Sequence, residues 1–303
     1  MEDAYHNDHK SMWQLVKRFF PSGKKANLEP IKFQNGELAT SQEQILRAWR
    51  EHLESLGAPT HHELEDVAFG ESTDRYVRAM EKYTHRVKDK VMDEVFCLAE
   101  LKAVLEGLDY HKAGTADGTV NLMFKCGVPE VLQPLLDLFN WLRETERIPV
   151  DWQKAMIVNL YKDGDKSDPG NYRGIALISC LGKIYLSLWA ARLAAHADGV
   201  LGDPQGGFRR GRSTVDQCLT LKEALVRRKR AGLDTFLCFV DFRKAFDTVW
   251  HAGLWRRLWD SGARGKAWRV VRNLYSSISA QVLLGGEATA GCPPRVSSLA
   301  HPL

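Results

Sequence analysis

Thr235-Phe-Leu-Cys-Phe-Val-Asp-Phe-Arg-Lys-Ala-Phe-Asp-Thr-Val-Trp250 is the stretch on which the fold turns. The aromatic and branched side chains from Thr235 to Val240, bounded by Asp234 and Asp241, predict a core strand that ends at a carboxylate. Beyond it Phe246, Val249, Trp250, Leu254, Leu258 and Trp259 recur at three- and four-residue steps, the pattern of an amphipathic helix packing back on a sheet. Asp241 then stands at a strand end before a turn, where a carboxylate either holds a hard cation through oxygen or simply meets solvent. Asp247 is either a second ligand or a charge favoured by the positive end of the helix dipole.

Outward from this stretch the charge is uneven. The 303 residues carry a net +4, yet Gln205 to Arg272 holds sixteen Lys and Arg against six Asp and Glu, a local excess of +10. A basic surface of that density suits a polyanion, because phosphate contacts dominate nucleic-acid affinity; several solvated helix faces would read the same way. The six cysteines lie at least twenty positions apart, which removes C-x-x-C zinc or redox motifs and predicts reduced, mostly buried thiols. Met1 to Phe20 is studded with charge and has no apolar stretch of the kind a signal peptide needs, so an intracellular, non-secreted protein is expected. Ile175 to Ala191 is apolar but interrupted by Lys183, so it predicts a buried helix after a turn and no membrane span.

Further upstream, Gln42 to Leu56 places Ile45, Leu46, Trp49, Leu53 and Leu56 at helical spacing before Gly57 and Pro59. Cys97 to Leu108 and Leu132 to Leu142 also read as helices, Ala155 to Tyr161 as an apolar strand, and Lys112 to Gly118 as a turn. His61 and His62 follow the first helix without a partner at ligand spacing, and read as exposed loop residues. Two look-alikes fail on spacing. Asp163, Asp165 and Ser167 open like a calcium loop, but Asp168 stands where glycine is needed and Gly174 where a bidentate glutamate is needed. Gly206 to Ser213 mimics a phosphate-binding loop with Arg212 for lysine, but Asp203-Pro204-Gln205 precedes it in place of a strand.

Taken together the motifs resemble a family. Phe239-Val-Asp-Phe-Arg-Lys-Ala-Phe-Asp-Thr-Val249 resembles the first catalytic motif of reverse transcriptases from non-LTR (LINE-type) retrotransposons. Asn171-Tyr-Arg-Gly-Ile-Ala-Leu-Ile-Ser179 is similar to that family's N-Y-R-P-I-S-L, with Gly174 replacing proline, and Leu181-Gly-Lys-Ile184 to its G-K-I. Gln205-Gly-Gly-Phe-Arg-Arg-Gly-Arg-Ser-Thr-Val-Asp-Gln217 resembles Q-x-G-F-R-x-G-R-S-T-x-D-Q, and Lys112 to Gly118 a loosened K-A-P-G-x-D-G. Ile148-Pro-x-x-Trp152 and Leu160-Tyr-Lys-x-Gly-Asp165 fit in the same order.

The resemblance implies an α+β, right-hand polymerase in four parts: a polar, helical linker at 1–95, a fingers-like part at 96–230, a partial palm at 231–284 and a divergent tail at 285–303. It implies that Asp241 is a catalytic, metal-binding aspartate bridging two Mg²⁺ ions, with the backbone carbonyl of Phe242 lent to a metal. Lys162 and Arg173 would grip the dNTP triphosphate and Phe246 would be the steric gate against a ribose 2′-hydroxyl. Gln205, Phe208, Arg209, Arg210 and Arg212 would face the template, Phe208 reading as a stacking platform or as core. An RNA template and a DNA primer are the implied partners, acting in the nucleus or cytoplasm. The sequence contains no G-x-R-Q-G and no Y-x-D-D, the motif that brings two more aspartates, although Gly291-Cys-Pro293 resembles the end of the glycine motif. The chain is therefore expected to be inactive alone. The alternatives are a non-catalytic RNA- or DNA-binding module and a decayed pseudogene product.

Overall fold

The computed structural model describes residues 29–56, 67–89, 91–109, 119–125, 129–242, 245–246, 249–284 and 287–288. Lys112 to Gly118, His61, His62, Asp247, Cys126, Cys292, Gly291 to Pro293 and most of the expected tail lie outside them. Helices alternate with short strands in a mixed α/β chain. In order these are β1 (Ile31–Lys32), β2 (Leu38–Ala39), α1 (Gln42–Leu56), α2 (Val67–Tyr83), α3 (Leu98–Glu106), α4 (Asn121–Lys125), α5 (Pro129–Thr145) and β3 (Lys154–Tyr161). There follow β4 (Tyr172–Leu177), α6 (Cys180–Val200), α7 (Thr214–Arg230), α8 (His251–Asp260), α9 (Gly265–Ser276), β5 (Ser279–Leu284) and β6 (Glu287–Ala288). Among the described residues no helix is long and apolar enough to cross a membrane.

The larger sheet runs β4-β3-β5-β6. β3 and β4 form an antiparallel hairpin paired from Tyr161↔Tyr172 back to Met156↔Leu177. β5 lies parallel to β3, so the chain between β4 and β5 must cross over, and helices α6 to α9 supply that crossover. Alternation decides the faces: Ala155 and Ile157 on β3 and Ala280 and Val282 on β5 are buried, while Leu160 and Ile175 are exposed.

The first half of helix α6 is mostly apolar, and the structure buries it accordingly. Ile184, Tyr185, Leu188 and Trp189 join Phe96, Leu101, Leu135 and Phe139 in the largest core cluster, while Leu186 joins Ala155, Ile157 and Ala280 against the sheet. Its start corrects the sequence reading. Ile175–Leu177 belong to β4, and the helix begins only after Ser179, whose Oγ accepts from the Gly182 amide. A Cβ on Gly182 would come within 3.1 Å of the Trp152 ring, so glycine is what allows this close approach.

Arg192, also on α6, closes a gap that helices cannot. Its guanidinium donates to the carbonyls of Met92, Glu94 and Val95 at 2.7–3.0 Å and to both carboxylate oxygens of Glu100 at 2.7 and 2.9 Å, and it lies over the Phe96 ring. A turn with three carbonyls aimed at one point needs such a multiply donating group. At the other end of the core Arg269 on α9 grips Glu146 through two bonds and also donates to the Thr84 carbonyl.

Residues 29–56 pack against the sheet. Ile31, Ala39, Ile45, Ala48 and Trp49 share a core cluster with Val282 of β5, against which Tyr172 and Leu284 also pack. The thiols differ from expectation: Cys180 is buried, but Cys97, Cys218 and Cys238 are exposed, because no described residue covers the segment bearing the latter two and Cys97 is a helix cap.

Replacing Arg192 by Met should cost about 2–4 kcal/mol in urea denaturation, since it orphans a carboxylate and three carbonyls. Burial raises the Glu100 pKa, but the Arg192 bonds and the Cys97 amide outweigh it and hold the group below its ordinary 4.5. That share of the stability is present above pH 4.5 and lost as pH falls through the lowered value. The gap between wild type and Arg192→Met should therefore narrow on acidification, and a gap that does not change between pH 7 and 3 would contradict the assignment.

Candidate functional site

The β3–β4 hairpin builds its tip from its own acidic residues. Asp165 accepts from the Ser167 amide and hydroxyl at 2.9 and 2.8 Å, Asp168 from the Gly170 amide at 2.8 Å, and the Lys162 amide donates to the Asn171 carbonyl at 2.9 Å. Gly164 has φ +88°, and a Cβ there would meet the Asn171 amide at 2.7 Å. These bonds make Asp165 and Ser167 turn-forming groups. Leu160 pairs with Arg173, and Lys162 is two residues beyond Leu160, so strand alternation puts Lys162 and Arg173 on one face of the hairpin. Tyr161 and Tyr172 occupy the opposite face, their rings 5.5 Å apart. Both cations are exposed, and among the described residues neither is paired with a carboxylate. Two unneutralised cations at the end of a half-exposed apolar sheet face can bind an anion bearing several oxygens.

The loop from Gln205 to Ser213 folds onto the start of α7. Ser213 caps that helix by accepting from the Asp216 amide at 3.2 Å, and Asp216 accepts in return from the Ser213 amide at 2.9 Å. This capping box was not singled out from the sequence, although Ser-x-x-Asp was the visible signal. The expected template residues part ways here. Arg209 is tied to Asp198 at 2.7 Å and to the Gly202 carbonyl, and Arg212 to Asp203 at 3.1 Å, whereas Arg210 is exposed and has no carboxylate partner among the described residues. Gln205 donates to the Gly207 carbonyl. Phe208 is 90 % exposed, so it is not core, and its φ of +60° is a conformation a bulky residue rarely takes.

The segment from Leu233 to Phe242 corrects the reading made at the outset. It forms no strand. Phe236 is 96 % exposed and Phe239 80 %, and Asp241 and Phe242 are exposed with them. The physical reason is partnership: a strand apolar on both faces needs neighbours on both edges and cover on both sides. Among the described residues no strand pairs with it, and the helix that leads into it, α7, buries no side chain. The following helix also begins later than its apolar spacing predicts, at His251, leaving Phe246 in a turn and Trp250 as the cap. Phe246 and Phe208, expected to serve nucleotide and template, touch edge-on with centroids 6.0 Å apart.

Whether these residues could hold divalent ions can be tested on the carboxylates. Among the described residues no group of three or more His, Cys, Asp or Glu side chains comes together, and Asp241 faces solvent. The described residues thus do not fit a two-ion site.

Residues 162–293 match the family described as reverse transcriptase (RNA-dependent DNA polymerase). The chain is 28% identical over 231 residues to the probable RNA-directed DNA polymerase from transposon BS of Drosophila melanogaster, covering 74% of this chain and 24% of that protein. It is 27% identical over 250 residues to the RNA-directed DNA polymerase from mobile element jockey of the same species, covering 80% and 26%. It is 29% identical over 214 residues to the putative 115 kDa protein in type-1 retrotransposable element R1DM, also of that species, covering 65% and 19%. The chain spans about a quarter or less of the length of these relatives.

Because Phe208 holds a left-handed backbone and buries almost nothing, Phe208→Gly should leave stability unchanged or raise it by about 1 kcal/mol, as relief of strain offsets the added freedom of the unfolded chain. A thermal melt reads this directly. A loss above about 2 kcal/mol would mean that the ring is core after all.

Proposed function

We propose, from the premise that this chain carries LINE-type reverse-transcriptase sequence, that it supplies the nucleotide- and template-binding part of an RNA-directed DNA polymerase. The observation that carries this reading is the pair Lys162 and Arg173. Both lie within the family match, both project from one face of one hairpin, and both are unneutralised among the described residues. Arginine offers a fork to phosphate oxygens and lysine a point charge, a combination suited to a dNTP triphosphate. In the right-hand polymerase reading the hairpin belongs to the fingers.

Arg210, Phe208 and Gln205 would meet the RNA template, with the exposed ring as a stacking surface and the loop glycines permitting close backbone approach. Arg209 and Arg212 would first have to exchange Asp198 and Asp203 for phosphate, so the role of each there is conditional on that exchange. Phe246 would be the steric gate. Asp241 and the Phe242 carbonyl are the groups this reading assigns to Mg²⁺, although the described residues by themselves do not complete a two-ion site. The sequence carries no Y-x-D-D, so this reading expects no transfer reaction of this chain by itself.

A second reading, a nucleic-acid-binding module without catalysis, is favoured by one specific feature. Helix α7 buries no side chain and ends in Arg227, Arg228, Lys229 and Arg230, within the segment of local excess +10. One experiment tests the binding common to both readings and the inactivity expected of the chain. The purified chain, given Mg²⁺, an RNA template annealed to a DNA primer and dNTPs, should bind the duplex with a steep negative log-log dependence on salt yet extend no primer above background. Extension that is abolished by Asp241→Ala would overturn the expected inactivity and establish the site. A flat salt dependence would remove the basic segment as a binding surface.

A further inference from the structure

The hairpin bearing Lys162 and Arg173 is held from outside by a residue far away in sequence. Lys32 on β1 donates its amide to the Ser167 carbonyl at 2.7 Å and its Nζ to the Asp165 carboxylate at 2.6 Å, across a separation of 133 residues. Around this double tie the loop is fixed from within. Tyr161 Oη donates to the Gly164 carbonyl at 2.6 Å and Tyr172 Oη to the Lys166 carbonyl at 2.7 Å, while Tyr172 meets the Trp49 ring edge-on at 5.0 Å. Trp49 and β1 belong to one core cluster, so the position of Lys32 is set by packing against β5.

An exposed ion pair adds little to stability. Its consequence here is geometric. The tied loop, 163–168, lies between Lys162 and Arg173, so freeing it would let the two cations move independently, and a ligand would then have to order them on binding. Each partner supports the other's charge: the Lys32 hydrogen bond is the main cause that holds Asp165 well below the usual carboxylate range, and Asp165 raises Lys32 in return.

We propose that Lys32 is a positioning residue for nucleotide binding: by holding Asp165 and Ser167 it fixes the hairpin tip so that Lys162 and Arg173 present their charges together to a triphosphate. This rests on the reading that those two cations bind triphosphate, and it extends it to residues outside the family match, in the segment 29–56.

Charge counting and bracing predict opposite signs, which makes the test sharp. Asp165→Asn removes a negative charge beside the anion site while keeping an oxygen for Ser167. Field effects alone would tighten anion binding; loss of the brace would weaken it. In isothermal titration of the full chain with inorganic tripolyphosphate, Asp165→Asn and Lys32→Met should each bind about threefold more weakly, and Lys32→Arg, which retains the pair, should stay within about twofold of wild type. Arg173→Ala should lose about tenfold or more, reporting on the underlying reading. Melting temperatures of the Lys32 and Asp165 variants should fall by less than about 4 °C, as expected for an exposed pair. Asp165→Asn binding as tightly as wild type or tighter, with Arg173→Ala weakened, would overturn the brace alone. A wild type that does not bind, or an Arg173→Ala variant equal to it, would overturn the triphosphate reading and the brace with it.

Discussion

Three backbone carbonyls in the turn 92–95 point at one place, and Arg192 is the group that satisfies them. That requirement fixes much else. The guanidinium must be held still, which Glu100 and the Phe96 ring do, and the helix that carries it must be locked, which the mostly apolar first half of α6 does by packing into two core clusters. Because α6 follows directly from β4, anchoring the helix also anchors the hairpin. The two expected nucleotide cations are thus presented by a strand whose far end is tied into the core, and Lys32 restrains the near end. A site on so restrained a hairpin loses less freedom when it binds than one on a free loop.

The positive charge of the described residues divides into neutralised and unneutralised charge. Arg209 and Arg212 are engaged with Asp198 and Asp203, and Arg192 and Arg269 are consumed inside the protein by Glu100 and Glu146. Lys162, Arg173 and Arg210 have no carboxylate partner among the described residues. A count of positive residues along the chain therefore overstates what is offered to a polyanion, and the residues that matter are those whose charge the fold has left open.

Local periodicity made the helices legible. Gln42–Leu56 was read with its observed bounds, and the hairpin could be inferred from an apolar run ending in Asp, Gly and Ser. What was not legible depends on partners. The apolar run Thr235 to Val240 states that these side chains favour burial, but not that another strand is present to bury them, and in the structure they stand exposed. The same limit hid Lys32, whose contact with Asp165 leaves no local pattern, and the function of Ser213 and Asp216 as a cap, which lay inside a motif already given another meaning. The residues, spacing and order of the motifs did carry the resemblance, because those features do not depend on which strands have formed.

The central claim is that the chain forms a packed hairpin-and-helix unit around α6 while the segment bearing Asp241 remains outside the core. Native-state hydrogen exchange measures it most directly. Amides of Met156 to Leu160 and of Ile184 to Trp189 should be strongly protected, and those of Phe236 to Asp241 should exchange at nearly the rate of an unstructured peptide. Protection of Phe236 to Asp241 comparable to that of β3 would show that the strand is formed and buried in solution, and would contradict the account.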